Sequence, residues 1–450
     1  MSALKPVALV KPVPLSAWYL TLSLAFIHLT SSMDRHVVGL ILTPLKVEFD
    51  LSDTALGLLH GTAYTVLYAV AILPAGVLVD RVNRQVMVGV AALLWSLGTA
   101  AFAMADSFAM LVAARLIVGL GQAALIPAAL SLITDAFDPR QLGRPIGVFT
   151  SASALGRGAV LIGGGAVLTW FGASATSEGT DPWRVLLLLT LIVNAGAILM
   201  LLTAKSPPRR LAALCGTGTA RAEVLGHLRL NLRSYAALFI GAGMTVLLIQ
   251  TITAWSPTLL VRRFDYSVPQ SGFAFGVVVL LTAPLGNILG GWLLDKARSA
   301  ETLGDEQLTG PVGTLQAVVA HRRMIALALI GIVLVTPLFC VVSSAVVALV
   351  GLALASVLLG IATPIGLAGI QRIAPAELRG RITATYVAGV TLVSLGLGLG
   401  PVSVGWASTS LFSGDERLSY ALLLVVILSA VTGAAVVYPR KGPLRQEGAL

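Results

Sequence analysis

Twelve predominantly apolar runs dominate this sequence, and each approaches the length of about 20 residues that a membrane-spanning helix needs. Of the 450 residues, 57% are hydrophobic and 11% are charged, against about 25% charged in ordinary soluble domains. A water-soluble fold of this size could not bury so much apolar surface, so the expected solvent is a lipid bilayer. We therefore predict an all-α membrane protein with twelve transmembrane helices. The runs are centred near Phe26, Val66, Leu94, Val118, Val160, Ile192, Val246, Leu280, Ile330, Leu358, Val390 and Val425.

The segment from Phe49 to Asp80 recurs in outline 215 positions later, from Phe264 to Asp295. Glycines and aspartates keep one register in both copies, which chance would rarely produce. Parallel repeats are typical of secondary transporters, so the repeat predicts two six-helix bundles. The predicted parts are a tail at residues 1–17, a bundle at 18–204, a loop at 205–233, a bundle at 234–438 and a tail at 439–450.

The net charge of +10 follows the predicted topology. With both termini on one side, that side holds 22 of the 30 Lys and Arg residues, the opposite side holds five, and three lie within spans. The positive-inside rule then predicts a multi-pass cell (inner) membrane protein with both termini in the cytoplasm. The excess charge is explained by topology, so we expect no nucleic-acid partner.

Four ionisable side chains fall inside predicted spans, where each costs about 2.5–3.5 kcal/mol and usually faces a cavity or a partner. They are Asp34, Arg35, Arg115 and Arg157, all in the first half. Asp34 either carries a coupling proton or forms a static ion pair with Arg35 or Arg115. Arg157 either binds an anionic substrate group or extends to the membrane interface or caps a loop.

Each repeat ends with a glycine, then an aspartate four residues on, then a base. An anion at a helix C-terminus is disfavoured by the helix dipole and needs a compensating partner, while the glycine permits close helix approach. The alternative is that the bases only satisfy topology, but that does not explain the repeated aspartate. We predict a conformational latch formed by Gly76, Asp80, Arg81, Arg84, Gly291, Asp295 and Lys296.

The sequence contains no motif for nucleotide-driven transport and no zinc-protease motif. We therefore expect no cofactor, no metal and no enzymatic activity. Cys215 and Cys340 fall on opposite sides of the predicted membrane and should not pair.

The segment Gly76-Val77-Leu78-Val79-Asp80-Arg81-Val82-Asn83-Arg84 resembles the signature of the major facilitator superfamily. Met33-Asp34-Arg35 and Leu51-Ser52-Asp53-Thr54 resemble its spinster-like branch, including bacterial relatives. The resemblance covers essentially the whole chain. It implies two bundles around a central cavity, alternating access, and proton-linked transport of an amphipathic lipid or organic anion by a protein expected to be monomeric.

One position departs from the spinster-like pattern, which has a glutamate where this chain has Gln122. Because glutamine cannot titrate, an uncoupled exchanger becomes a stronger alternative. A multidrug or metabolite exporter is a second alternative; a transport-dead receptor and a membrane enzyme are disfavoured.

The second half has Ile249 and Gln250 where the first has Asp34 and Arg35. We therefore expect it to supply an apolar, aromatic wall containing Trp255, Phe273, Phe275 and Tyr386. The predicted substrate-binding residues are Arg35, Arg115, Gln122, Arg157, Trp255 and Tyr386. The expected substrate is a small molecule with an anionic head and a hydrophobic body.

Overall fold

The computed structural model of this chain describes residues 14–79, 81–137, 141, 143–174, 181–208, 225–303, 311–373 and 399–439 without 414 and 415. It also describes isolated positions between 374 and 398, namely 382, 385, 386, 389, 390 and 393. Throughout these residues the secondary structure is helical, with short turns between helices. Asp80 and most of the predicted loop at 205–233 lie outside the described residues.

Six spans form the first half of the molecule. They are α1 (Leu15–Glu48), α2 (three consecutive pieces, Asp53–Gly57, Leu58–Thr62 and Ala63–Val79), α3 (Arg84–Ala103), α4 (Phe108–Gln122 and Leu125–Ala136), α5 (Gly143–Ser174) and α6 (Pro182–Thr203). Helices α2, α3 and α4 begin at side-chain caps, because Ser52, Asn83 and Ser107 accept hydrogen bonds from backbone N–H groups of the first turn.

The second half repeats this arrangement. Its spans are α7 (Leu232–Phe264), α8 (Val268–Leu303), α9 (Pro311–Cys340), α10 (Ala345–Ile373), α11 (described as Leu399–Ser410) and α12 (Arg417–Val437). Ten helices of the described part, all except α1 and α11, are long and apolar enough to cross a membrane. With α1 and α11 the chain has the expected twelve-helix, two-bundle architecture.

The membrane-spanning part of α8 ends at Leu294 and that of α9 begins at Val318, so a long stretch of chain separates them. Helix α8 continues to Leu303 and α9 begins at Pro311. Apolar runs mark only the part of a helix within the bilayer. A helix can continue beyond it with polar residues, because its backbone hydrogen bonds remain satisfied.

The two halves contact each other at the far end, which we define as the end of the bundles opposite the chain termini. A side chain at Gly57 in α2 would collide with the Pro401 carbonyl of α11, and one at Gly165 in α5 with the Pro269 carbonyl of α8. At the opposite, terminal end, no described atom lies within 4 Å of a side-chain position at Gly76 or Gly291. The halves are therefore closed together at the far end.

Irregular helix geometry occurs where α2 and α4 approach the polar interior. Leu58–Thr62 form a π-helical turn, and α4 is interrupted after Gln122 before it resumes at Leu125. Such irregular turns are frequently found at functional sites. Both interruptions lie beside the buried residues Arg115 and Gln122.

Candidate functional site

Arg115 of α4 is buried and anchors the interior of the first half through backbone carbonyl groups. Its guanidinium donates to the carbonyl oxygens of Asp34, Arg35 and Leu59 at 3.3, 3.4 and 3.4 Å. Arg115 therefore contacts α1 and α2 through backbone carbonyl groups, which the helices hold in place. Arg115 consequently holds the polar stretch of α1 against the π-helical turn of α2.

Asp34 is 2% exposed, and its carboxylate bonds to an amide. The Nδ2 group of Asn194 on α6 donates to Oδ2 of Asp34 at 2.7 Å. Among the described residues, the carboxylate makes no ion pair within 4 Å, so the static pair with Arg35 or Arg115 is absent in this conformation. Asn194 could not be recognised from the sequence, because a neutral polar residue in an apolar span is not rare enough to stand out.

Hydrogen bonding around the Asp34 carboxyl is incomplete among the described residues. The hydroxyls of Thr99 and Thr190 lie beside its carboxyl but donate to the carbonyls of Trp95 and Leu187, at 3.1 and 2.7 Å. Within the described residues, Oδ1 of Asp34 and Oδ1 of Asn194 are both buried without a hydrogen-bond partner. A proton on Asp34 would supply the donor that this pair lacks, since a protonated carboxyl can donate.

Arg35 contacts Gln122, the position at which this chain departs from the spinster-like pattern. Its Nη2 donates to Oε1 of Gln122 at 3.2 Å, and its guanidinium carbon lies 4.9 Å from the ring centre of Tyr64. The Tyr64 hydroxyl donates to the same Gln122 oxygen at 3.0 Å. Gln122 thus accepts from both side chains while it donates to the Ser31 carbonyl at 3.1 Å. Tyr64 was not predicted from the sequence.

A cavity of about 180 Å³ lies between the halves, lined by α5, α7, α8 and α10. Arg157 projects from α5 between two glycines that permit close packing: Gly156 lies against the Leu29 carbonyl of α1 and Gly158 against Leu280 of α8. The Nε of Arg157 is buried and has no acceptor among the described residues. No Asp or Glu is among the described residues that line the cavity. The structure therefore presents an uncompensated guanidinium to this space.

The predicted aromatic wall is only partly present around the cavity. Phe275 lines it, but Trp255 is fully buried in the packing of α7 on α11, where its Nε1 donates to the Pro401 carbonyl at 3.0 Å. Tyr386 is 5% exposed and packs edge-on against Phe239, and Phe273 is 58% exposed. Hydrophobicity alone could not distinguish cavity-facing rings from those buried between helices or directed outward.

The second half also contributes polar groups to the cavity. Thr253, Asn287, Ser356 and Thr363 line the cavity opposite Arg157. Gln250, the repeat counterpart of Arg35, places Oε1 at 3.3 Å from Nε2 of His36 on α1 and so links the two halves. The wall from this half is therefore apolar in part, with Ile252, Phe275 and Val279 in the lining, and polar groups interrupt it.

A buried ion cluster closes the far end, and the sequence did not reveal it. Asp53 at the start of α2 is 2% exposed and accepts both guanidinium nitrogens of Arg262 from α7, each at 2.8 Å. Lys46 donates to Asp53 at 2.6 Å, and the Ser408 hydroxyl of α11 donates at 2.7 Å. Because α2 belongs to one half and α7 and α11 to the other, this cluster joins the halves.

The predicted latch residues lie at the terminal end. Arg84 donates to Asp135 at 2.5 Å and to the Ser131 hydroxyl at 2.9 Å, which ties α3 to the end of α4 within one half. Lys296 lies over the Trp292 ring at 5.2 Å, and Arg81 is exposed. Asp80 and the side chain of Asp295 lie outside the described residues, so the latch stays a prediction.

Comparisons with known proteins agree with this architecture. Residues 24–388 match the Major Facilitator Superfamily. Spinster from Drosophila melanogaster is 27% identical over 288 residues, which cover 62% of this chain and 46% of that protein. An MFS-type efflux pump from Mycolicibacterium smegmatis is 26% identical over 426 residues, covering 94% of this chain and 92% of the pump.

A solved structure has the same fold. It is described as a bacterial homolog of the human lysosomal transporter Spinster in an inward-facing, unoccupied conformation, and it matches with a TM-score of 0.75 and 20% identity over 94% of this chain and 96% of that chain. The family and these relatives are membrane transporters and not enzymes. This chain therefore belongs to the Major Facilitator Superfamily, in its spinster-like branch.

Proposed function

We propose that this protein is a secondary active transporter that moves an organic anion by alternating access and couples that movement to a proton. The observation that carries the proposal is the guanidinium of Arg157, which faces the cavity between the halves, where the described lining residues include no carboxylate. A charge removed from water is costly unless an opposite charge or hydrogen bonds compensate it. An anionic substrate group would supply that compensation.

Asp34 is the group proposed to carry the proton. Its carboxylate is buried and bonded to Asn194, and the two oxygens without donors in this pair favour a protonated carboxyl in this conformation. Arg115 donates to the backbone of Asp34 and not to its carboxylate, which leaves the carboxyl able to gain and lose a proton. Intramembrane carboxylates in transporters commonly serve as proton relays.

The distribution of Lys and Arg supports cytoplasmic termini, and in that orientation this structure is an inward-facing state. The far end is then the outer gate, closed by the Asp53 cluster. The predicted latch of Gly76, Asp80, Arg81 and Arg84, with Gly291, Asp295 and Lys296, would assemble when the terminal end closes. The space around Gly76 and Gly291 in this state is consistent with that role.

The cavity favours a compact organic anion over a lysolipid-sized one. Its volume of about 180 Å³ is below the roughly 300–1,000 Å³ of sites for drug-sized ligands. Phe275 and neighbouring aliphatic residues give part of the lining apolar character, so a short hydrophobic portion could be accommodated.

An uncoupled exchanger or a metabolite exporter is the second candidate. Gln122 cannot titrate where the spinster-like pattern has a glutamate, which removes one potential proton site. The likeness to a mycobacterial efflux pump over 94% of this chain favours export as a direction. In either case the cavity chemistry would be the same, so the substrate test below applies to both.

The first prediction concerns Arg157. A panel of carboxylates, sugar phosphates and lysolipids, each with a neutral analogue, would be screened for thermal stabilisation of the purified protein. Arg157→Gln should weaken the anionic ligands tenfold or more, because a hydrogen bond to a charged group contributes about 1.5–3 kcal/mol. Neutral analogues should bind as before.

Arg229→Gln provides the matched control, because Arg229 is exposed and outside the cavity lining, and its loss should leave anion affinity unchanged. If Arg157→Gln leaves the ratio of anionic to neutral affinities unaltered, Arg157 is structural and the anionic substrate loses its main support.

A further inference from the structure

We propose that the substrate is a compact carboxylate that bears several hydroxyl groups, with its carboxylate at Arg157 and its hydroxyls at Thr253, Asn287 and Ser356. This inference rests on the proposed function and specifies the substrate class of the same cavity. Such a substrate differs from an amphipathic lipid anion because the second half of the molecule would bind its hydroxyl groups and not an alkyl chain.

The three groups come from three helices of the second half and converge on one space. Thr253 lies on α7, Asn287 on α8 and Ser356 on α10, and all line the cavity that Arg157 faces from α5. Their side chains make no hydrogen bond to any other described residue. Thr150 and Thr363, in the same lining, instead donate to carbonyls of their own helices, each at 2.9 Å. The lining therefore holds one set of satisfied hydroxyls and one set of free polar groups.

The free groups match hydroxyls better than any other simple substituent. A threonine or serine hydroxyl can donate and accept, and an asparagine amide offers both functions. A sugar-like hydroxyl also does both, so it can pair with any of the three. An alkyl chain would leave all three groups without partners when water is expelled, and each unsatisfied group costs about 1–3 kcal/mol.

Charge and size restrict the remainder of the ligand. Arg157 is the cation and the lining, as far as it is described, holds no acidic residue, so a ligand with a single negative group matches the charge of the cavity. The cavity of about 180 Å³ suits a short carbon chain. Phe275 and Val279 in the same lining offer apolar contact to the C–H face that a polyhydroxylated chain retains.

The test compares ligands of equal chain length. Binding of D-gluconate, hexanoate and sorbitol to the purified full-length protein would be measured by calorimetry at low salt, with a lysophospholipid as a fourth ligand. Gluconate should bind at least tenfold more tightly than hexanoate or sorbitol. Asn287→Leu should reduce that preference over hexanoate about fivefold, because one net hydrogen bond contributes about 1 kcal/mol. Ser356→Ala should do the same.

Thr282→Val is the matched control, because Thr282 lies on the same helix as Asn287 but donates to the Val278 carbonyl at 2.6 Å outside the cavity lining. It should leave the preference intact, and thermal unfolding would verify that each variant folds. Hexanoate binding as tightly as gluconate, or lysophospholipid binding more tightly, would overturn the hydroxyl assignment and leave anion transport standing. Sorbitol binding as tightly as gluconate would instead count against the proposed anionic substrate itself.

Discussion

At the scale of single residues, the pair of Asp34 and Asn194 shows how one proton could change the hydrogen bonding of the interior. One bond of 2.7 Å already joins them, and each side chain retains one buried oxygen with no partner among the described residues. The terminal torsions of Asp and Asn side chains have broad energy wells, so a small rotation can bring these oxygens together. A proton between them would complete a two-bond ring, and its loss would leave two acceptors facing each other.

Asp34→Asn is expected to separate coupling from binding. An amide retains the size and the bond to Asn194 but cannot exchange a proton, so accumulation driven by a pH gradient in proteoliposomes should be abolished. Downhill exchange should persist for the anion that most stabilises the protein in the thermal screen. Asp106→Asn, at an exposed position between α3 and α4, should retain both activities. A variant that still concentrates the anion along a proton gradient would place coupling at another group.

The charged members of this site could be found from the sequence, but their partners could not. Asp34, Arg35, Arg115 and Arg157 stand out because charge is rare in an apolar span. Asn194 carries no comparable signal, since only its position beside α1 gives it a role. The alternative of a static ion pair at Asp34 is not realised in this conformation, because Arg115 reaches the backbone of α1 and not the carboxylate.

At the scale of helices, glycines fix the positions where one backbone crosses another. Gly119 of α4 faces the Tyr64 carbonyl of α2, and Gly121 faces the backbone of α3 at Ala91 and Trp95. These contacts place Arg115 and Gln122 at the depth of Asp34. The sequence alone does not reveal which backbone each of these two glycines contacts.

Gly119→Ala should destabilise the protein. The added methyl group would collide with the Tyr64 carbonyl oxygen, and overpacking of a close-packed interior typically costs about 1–3 kcal/mol. Thermal unfolding in detergent should show a lower midpoint for this variant. Gly89→Ala in α3 is the control, because no described atom lies within 4 Å of that position, and it should be neutral. Equal midpoints for the two variants would mean that α2 and α4 can separate at little cost.

At the scale of the whole molecule, the sequence indicates the two halves but not the conformation. The repeat from Phe49 to Asp80 and from Phe264 to Asp295 identifies equivalent helices, and equivalence holds in every state of the transport cycle. The closed far end depends instead on contacts such as Gly57 with Pro401 and Gly405 with the backbone of Asp53. Asp53 itself follows an ordinary N-cap serine, and nothing in the spacing connects it to Arg262, 209 residues later.

Asp53→Asn is expected to open the far end. The substitution removes the charge that holds Arg262 and Lys46, while the contacts at the terminal end stay as they are. A loss of about 1.4 kcal/mol in the closed state would raise the open-to-closed ratio tenfold. Spin labels at Asp50 and Ser413, exposed positions on opposite halves, would report the separation by pulsed electron resonance in a background without Cys215 and Cys340.

Glu416→Gln is the matched control for this experiment. It breaks the 2.9 Å pair between Arg263 and Glu416, which lies at the same end of the molecule but wholly within the second half. The label distance should therefore stay at the parent value in Glu416→Gln and lengthen in a large fraction of Asp53→Asn molecules. Identical distributions in both variants would show that close packing of α2 on α11 is sufficient to keep the far end closed. The ion cluster would then have no part in setting the balance between the two ends.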